Sequence, residues 1–149
     1  MKQLTDYIEE KLLMFQSQVN ERLVVNKNYK GYTPKSFEEL KNIINERTKE
    51  NHSVLYLSDI DVSNVKEFVD LNGFSIFGEC YSNKLEYIDV TGWDVSHITN
   101  FSELFAWFSH LKEIKGIEDW EISPDAITKR MFHCVPNNVI PEWYKKRNN

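Results

Sequence analysis

The sequence predicts an α/β repeat fold, a short solenoid of about three strand–turn–helix coils preceded by two helices. The first observation is a recurring phrase, which reads DIDVS at 59–63, GWDVS at 92–96 and DWEIS at 119–123. The second is the spacing of Trp93 and Trp120, which lie 27 residues apart. A period in this range is typical of solenoid proteins, in which each unit buries its apolar face against its neighbours.

The middle copy shows how one coil is built. Residues 85–90 are rich in strand formers, and Gly92 follows in a turn. Ser96 then stands where it can cap a helix, as do Ser63 and Ser123 in the other copies. After it, Ile98, Phe101 and Phe105 follow the i, i+3, i+7 spacing of one helix face. We therefore expect a short capped helix in each coil, with the two tryptophans stacked in the core.

Residues 85–101, LEYIDVTGWDVSHITNF, closely resemble the BspA-like leucine-rich repeat, which is widespread in Mycoplasma surface lipoproteins, gut Bacteroidetes proteins and phages of gut bacteria. The Met-Phe-x-x-Cys step of that repeat appears as IFGEC at 76–80 and as MFHC at 131–134. The middle copy departs from it with Ala-Trp-Phe at 106–108. The resemblance covers roughly 54–144. It implies a right-handed, leucine-rich-repeat-like solenoid and a role in molecular recognition, with no catalytic residues to carry over.

The N-terminal third differs from the repeats. An apolar stripe predicts an amphipathic helix within 1–25, and the capping-box sequence from Ser36 to Glu39 begins a second helix that covers the first coil. Residues 1–10 and 23–28 resemble the N-termini of small gut-phage proteins and, more loosely, phage head-targeting peptides. That resemblance implies a phage origin. It leaves open whether the first helix is a targeting segment, a cap or a partner-binding element.

At the C-terminus, Trp143 and Tyr144 are expected to fold back over the last coil. Lys145, Lys146 and Arg147 are expected to remain in solvent. The predicted organisation is an amphipathic helix at 1–25, a capping helix at 34–50, three coils at 51–138 and a C-terminal cap and tail at 139–149, with 52–144 and 34–50 forming one domain.

Composition indicates one soluble domain without a membrane span. Hydrophobic residues make up 41% of the 149 residues and aromatic residues 13%, which is enough for a continuous core. No apolar run approaches the roughly 18 residues that a transmembrane helix needs. Asp6, Glu9 and Glu10 interrupt any secretory signal. We therefore expect a cytoplasmic protein, in the host cytoplasm if it is phage-encoded, with no membrane partner.

Negative charge is concentrated in the middle of the chain. Residues 51–100 carry eight acidic and two basic side chains, a net charge of −6, whereas the whole chain carries −5. Such a surface repels nucleic acid and attracts a protein partner with a basic surface. It is equally compatible with a solvated face that keeps the protein soluble. Trp107, which breaks the repeat pattern, is either packed or an exposed contact residue of the kind enriched at interfaces. The candidate partner-binding residues are Asp59, Asp61, Asp89, Asp94, Glu118, Trp107 and Phe108.

Catalytic and metal sites are not predicted. The four histidines lack zinc-ligand spacing, and there is no phosphate loop or nucleophile elbow. Cys80 and Cys134 could be drawn with His133 as a partial zinc site, but we interpret both cysteines as filling related buried positions. No cofactor is implied.

The sequence thus predicts a non-enzymatic protein–protein interaction module, phage-encoded and modulating or inhibiting a host protein such as a defence or nucleic-acid-handling factor. An alternative is a virion-packaged or structural phage protein directed by its N-terminal helix. A weaker alternative is an adhesion protein, as in the secreted relatives. The partner's identity and the oligomeric state are left open.

Overall fold

The computed structural model describes residues 11–12, 31–78 and 84–147. The chain divides into two compact units, Met1–Gly31 and Tyr32–Asn149. Lys11 and Leu12 are helical. The remainder of the predicted helix at 1–25, including the phage-like segments, lies outside the described residues, so those interpretations stay predictions.

Helix α1 spans Phe37–Glu50 and begins where the capping sequence predicts. The Ser36 hydroxyl accepts a hydrogen bond from the Glu39 N–H at 3.2 Å. The Glu39 carboxylate accepts one from the Lys35 N–H at 2.8 Å, one residue earlier than a standard capping box would place it. Of the range 34–50 predicted to be helical, residues 37–50 form the helix. Its apolar face is buried and consists of Phe37, Leu40 and Ile44.

Three short strands form one parallel sheet in the order β1-β2-β3. They are β1 (Val54–Tyr56), β2 (Tyr87–Asp89) and β3 (Glu113–Lys115), with Leu55, Ile88 and Ile114 in register. Helix α1 packs against β1. A single 3₁₀ turn, Ile117–Asp119, follows β3, and helix α2 (Glu142–Arg147) ends the described chain.

The predicted solenoid of three strand–turn–helix coils is wrong. Between residues 31 and 147, the described residues form helices α1 and α2 and one small three-stranded parallel sheet, and the chain between the strands forms turns, bends and isolated bridges. The capped helix expected after Ser96 does not form. Instead the amide and hydroxyl of Ser96 both donate hydrogen bonds to the Asp94 carboxylate, at 3.0 Å and 2.7 Å.

Lateral hydrogen bonds explain why the helical spacing at Ile98, Phe101 and Phe105 does not produce a helix. In an α-helix these amides would bond to carbonyls four residues earlier in the same segment. Here alternate amides bond to a neighbouring segment, and Glu103 and Trp107 take positive φ angles of 56° and 76°, which no α-helix tolerates. The N–H groups of Phe101, Glu103, Phe105 and Trp107 donate to the carbonyls of Ile127, Lys129, Met131 and His133 at 2.7–3.0 Å.

The core is a series of stacked aromatic side chains. Trp93 and Trp120 are buried with their ring planes 9° apart and centroids 6.3 Å apart, which confirms the prediction that they stack in the core. Phe105 lies between two further rings, with centroids 5.2 Å from Phe77 and 5.5 Å from Phe132. Such contacts add to the stabilisation that burial of the rings provides.

The C-terminal residues pack against the preceding chain. Trp143 donates its indole N–H to the Ile117 carbonyl at 2.9 Å, and Tyr144 packs edge-on against Phe132 at 4.9 Å, which confirms that both fold back. The expectation that Arg147 stays in solvent is wrong. Its guanidinium donates to the carbonyls of Ser123, Pro124 and Ala126 at 2.7–3.1 Å, and these three hydrogen bonds hold it against the turn after Ile122.

Candidate functional site

A groove lies between the loop 73–78 and the segment 103–108. Its volume is about 280 Å³. Four aromatic side chains contribute to its lining, and we call it the aromatic groove: Phe74, Phe77, Trp107 and Phe108. Of the seven residues that the sequence nominates, Trp107 and Phe108 are the two that lie here.

A tight loop presents Phe74 on one side of this groove. The Asp70 carboxylate accepts hydrogen bonds from the amides of Asn72 and Phe74, both at 2.9 Å, and Asp70 N–H donates to the Phe74 carbonyl. Gly73 completes the turn with a φ of +85°, which glycine adopts without steric cost. The Phe74 side chain is left 57% exposed.

Trp107 is held on the other segment by its neighbours. Its N–H donates to the His133 carbonyl at 2.8 Å, and its ring meets the His133 ring edge-on at 4.8 Å. Its backbone φ of 76° lies in the left-handed region, where a bulky residue costs about 1–3 kcal/mol. The side chain is nevertheless 57% exposed, so burial does not offset that cost. Cys134, at the corresponding position of the next segment, also has a positive φ of 63°, so the turn itself requires this conformation.

The floor of the groove belongs to the core. Phe77 and Phe108 are buried and meet edge to face, with their ring centroids 6.2 Å apart. The buried Ser75 hydroxyl donates to the Leu104 carbonyl at 3.3 Å and accepts from the Phe77 amide at 3.2 Å. The exposed rings of Phe74 and Trp107 are therefore mounted on a well-packed base.

One carboxylate, that of Glu103, also lines the groove. Its side chain is 44% exposed and lies 3.4 Å from the Arg130 Nε, which is 46% exposed. An exposed ion pair of this kind contributes roughly 0–1 kcal/mol. The Glu103 carboxylate therefore remains accessible to another cation.

Two of the nominated carboxylates have structural roles. Asp59 is only 8% exposed at its side chain and forms two hydrogen bonds with the Arg47 guanidinium, at 2.6 Å and 2.8 Å. Asp89 is 1% exposed and accepts a hydrogen bond from the Thr91 amide at 2.9 Å. Neither carboxylate presents its charge to a partner. A strand-end aspartate looks the same in the sequence whether it faces the core or solvent.

Asp61 and Asp94 are exposed and occupy matching turns. The Ser63 backbone amide and hydroxyl lower the pKa of Asp61, while burial and the nearby charge of Asp94 act in the opposite direction. The Ser96 hydroxyl and amide lower the pKa of Asp94 in the same manner. Both carboxylates are therefore negative at neutral pH and lie close enough to repel one another. Glu118 is exposed in the 3₁₀ turn and forms no contact with either of them among the described residues.

Metal-binding groups are not assembled in the part of the chain that the structure describes, where no cluster of three His, Cys, Asp or Glu residues occurs. Cys134 is exposed, so its predicted burial is wrong. Its positive φ turns the chain at that residue and directs the thiol outward. Cys80 lies outside the described residues. No described helix is both long and apolar enough to cross a membrane.

The sequence contains a signal for this groove that the repeat pattern obscured. The segment 70–74, DLNGF, holds two large apolar residues, Leu71 and Phe74, in a turn too short to bury them. Both are exposed in the structure. Phe74 and Glu103 line the groove, although the sequence nominates neither as a contact residue.

Comparison of the chain with protein-family models, with curated protein sequences and with solved structures found no match in any of the three. The fold and the site define a small α/β protein whose three-stranded parallel sheet and stacked aromatic core support an exposed aromatic groove. The function is therefore inferred from the groove and from the charges around it.

Proposed function

We propose that this protein is a non-enzymatic module that binds a protein partner through the aromatic groove. The observation that carries the proposal is the exposure of Phe74 and Trp107, each 57% exposed and each lining the same groove. Exposed aromatic side chains on a rigid base are the usual anchors of protein interfaces, because they bury much apolar area and lose little side-chain entropy.

The type of residue at position 107 supports the same proposal. A glycine would adopt its φ of 76° without strain, and a small residue would expose less apolar surface. The turn itself requires this φ, so the backbone conformation does not account for a large exposed ring at position 107. Cys134, which has a similar φ, carries a much smaller side chain.

A basic surface on the partner fits the charge of this chain. The net charge is −5, and Asp61, Asp94 and Glu103 all expose their carboxylates. Charge of this sign accelerates encounter with a basic protein and disfavours nucleic acid. Asp61 and Asp94 are the nominated carboxylates best suited to this role, whereas Asp59 and Asp89 are not.

The biological setting that we propose follows from resemblance. Residues 85–101 resemble BspA-like repeats, whose family role is molecular recognition, and the N-terminal segment resembles gut-phage proteins. We place the protein in the cytoplasm, that of the host if it is phage-encoded, where it modulates or inhibits a host protein with a basic surface.

Selection of binding peptides tests the proposal without a known partner. A displayed library of random peptides is panned against the whole protein, and enriched peptides are then measured against variants. Phe74→Ala and Trp107→Ala are expected to weaken binding at least tenfold. Ile127→Ala is the matched control, since Ile127 is similarly exposed, at 54%, but does not line the groove.

Two results would contradict the proposal. One is a selection in which every enriched peptide binds the wild type and the Trp107→Ala variant equally well. The other is loss of binding on Ile127→Ala to the same degree as on Trp107→Ala. Binding that weakens as salt is raised would support a basic partner, and salt-insensitive binding would count against it.

A further inference from the structure

We infer that the aromatic groove accepts an arginine side chain of the partner, with the guanidinium against the Trp107 ring and its charge directed to the Glu103 carboxylate. This inference rests on the proposed function and deepens it by naming the group that is recognised. It follows from the chemistry of the groove, from the size of the groove and from a similar arrangement of side chains elsewhere in the molecule.

The chemistry of the groove combines exposed aromatic faces with one negative charge. Trp107 and Phe74 supply the rings, and Glu103 supplies the carboxylate. Tryptophan is the best aromatic partner for a cation, because the negative face of its π-system attracts positive charge. The guanidinium group suits both components, since it stacks on rings and donates hydrogen bonds to a carboxylate, and it is less strongly hydrated than an ammonium group.

The size of the groove fits a side chain. Its volume of about 280 Å³ lies just below the range of roughly 300–1,000 Å³ typical of pockets that hold whole small-molecule ligands. A single long side chain entering from a protein surface is the occupant that this space suits. The floor of Phe77 and Phe108 would pack against the methylene groups of an arginine stem.

The protein already contains the arrangement that we infer. The Arg47 guanidinium lies over the Tyr32 ring, 5.2 Å from its centroid, and the same group pairs with the Asp59 carboxylate at 2.6 Å. An arginine held between an aromatic ring and a carboxylate is therefore a stable geometry in this chain. The groove offers both of those groups at the surface without an internal guanidinium over Trp107 among the described residues.

Arg130 is the internal competitor of the incoming arginine. It pairs with Glu103 at 3.4 Å, but both side chains are nearly half exposed, and exposed pairs of this kind contribute little to stability. A partner's guanidinium can share or replace this contact. Removing Arg130 is consequently expected to strengthen binding of a cation in the groove, whereas neutralising Glu103 is expected to weaken it.

The test is an NMR titration of the whole protein with four short peptides that differ at one central residue: arginine, lysine, citrulline or leucine. Citrulline has nearly the same shape as arginine but carries no charge. We expect saturable shifts of the Trp107 indole signal with the arginine peptide, and at least fivefold weaker binding of the citrulline and leucine peptides. The buried indoles of Trp93 and Trp120 serve as internal references in the same spectra.

Variants at exposed positions complete the design. Glu103→Gln is expected to weaken binding of the arginine peptide by roughly three- to tenfold and to leave the citrulline peptide unchanged. Arg130→Gln is expected to strengthen arginine binding about two- to fivefold. Ile127→Ala should change neither. The amide spectrum of each variant verifies that the fold is intact.

Several outcomes would overturn the inference: citrulline or leucine binding as tightly as arginine, a lysine peptide binding equally well, an unchanged affinity in Glu103→Gln, or no shift at Trp107. Failure of this inference is distinguishable from failure of the proposed function. Selected peptides that depend on Phe74 and Trp107 but lack arginine would sink the inference alone, whereas the absence of any groove-dependent peptide would sink both.

Discussion

The Arg47–Asp59 ion pair connects helix α1 to the chain that follows β1, and its removal gives the sharpest test of the structure. Arg47 also donates to the Tyr56 carbonyl at 2.6 Å, so a single guanidinium satisfies both a carboxylate and a strand carbonyl. The change that we consider is Arg47→Met, which retains most of the aliphatic stem and removes the charge.

The magnitude follows from burial. Removing one partner of a buried ion pair costs about 3–5 kcal/mol, because the remaining charge loses its compensation. The Arg47 side chain is 19% exposed and that of Asp59 8%, so some water reaches the site and the lower end applies. We expect a loss of about 3 kcal/mol in the free energy of unfolding, which corresponds to a decrease in Tm of roughly 6–12 °C for a domain of this size.

The assay is a double-mutant cycle measured by urea unfolding, with the fluorescence of the buried tryptophans as the probe. Asp59→Asn alone is expected to cost about 2 kcal/mol, and the double variant is expected to cost less than the sum of the single variants by at least about 1 kcal/mol. Asp94→Asn is the control. Its carboxylate is exposed and the asparagine oxygen can still accept the bonds from Ser96, so it should change stability by less than about 0.5 kcal/mol.

Two results would refute this account of Asp59: a cost below about 1 kcal/mol for Arg47→Met, or single-variant costs that simply add. The experiment also bears on function, because a carboxylate engaged with Arg47 has little charge to offer a partner. Asp59→Asn protein that is still folded is therefore expected to bind groove-dependent peptides with the wild-type affinity.

Three further predictions concern the turns and the core. In thermal unfolding, Gly116→Ala is expected to destabilise the protein by more than about 2 kcal/mol, since a Cβ there would meet backbone atoms of the neighbouring turn at 2.7 Å. Gly92 has a similar φ but open space around it, so Gly92→Ala should cost only about 1 kcal/mol. Trp93→Phe should cost about 1 kcal/mol more than Trp120→Phe in urea unfolding. The Trp93 indole donates to a buried carbonyl at 2.9 Å, whereas that of Trp120 has no hydrogen-bond partner among the described residues. Because its folded pKa is lowered from 3.8, the Asp94 carboxylate should titrate by NMR with a midpoint below 3.8. The stability that the ionised Asp94 carboxylate contributes should be complete above pH 3.8 and should be lost as the pH falls through the lower pKa of the folded state. Equal costs for the two glycine variants would contradict the steric contact at Gly116, and equal costs for the two tryptophan variants would contradict the role of the Trp93 hydrogen bond. A titration midpoint at or above 3.8 would contradict the stabilisation of the Asp94 carboxylate by Ser96.

Local and apolar features were readable from the sequence. The capping sequence at Ser36 identified α1, because a helix start depends on side-chain oxygens within three residues. The spacing of Trp93 and Trp120 identified a stacked core pair, because large apolar side chains that recur at a regular interval are usually buried in the core.

Features that depend on hydrogen bonds between distant segments were not readable. The stripe of Ile98, Phe101 and Phe105 is buried as predicted, but the same spacing suits a chain whose alternate amides bond to a parallel neighbour. An apolar pattern in the sequence predicts which side chains are buried, but it does not predict which carbonyls accept the hydrogen bonds of the backbone amides. The helix prediction failed for that reason.

The charged residues divide in the same way. The sequence by itself determined that the middle of the chain is acidic, that an apolar core exists and that α1 begins after Ser36. Only the tertiary structure decided that Arg47 neutralises Asp59, that Asp61 and Asp94 remain exposed, and that the loop carrying Phe74 lies beside Trp107. Composition and short-range contacts are properties of neighbouring residues, whereas a groove requires two segments about thirty positions apart to be brought together by the packing of the whole core.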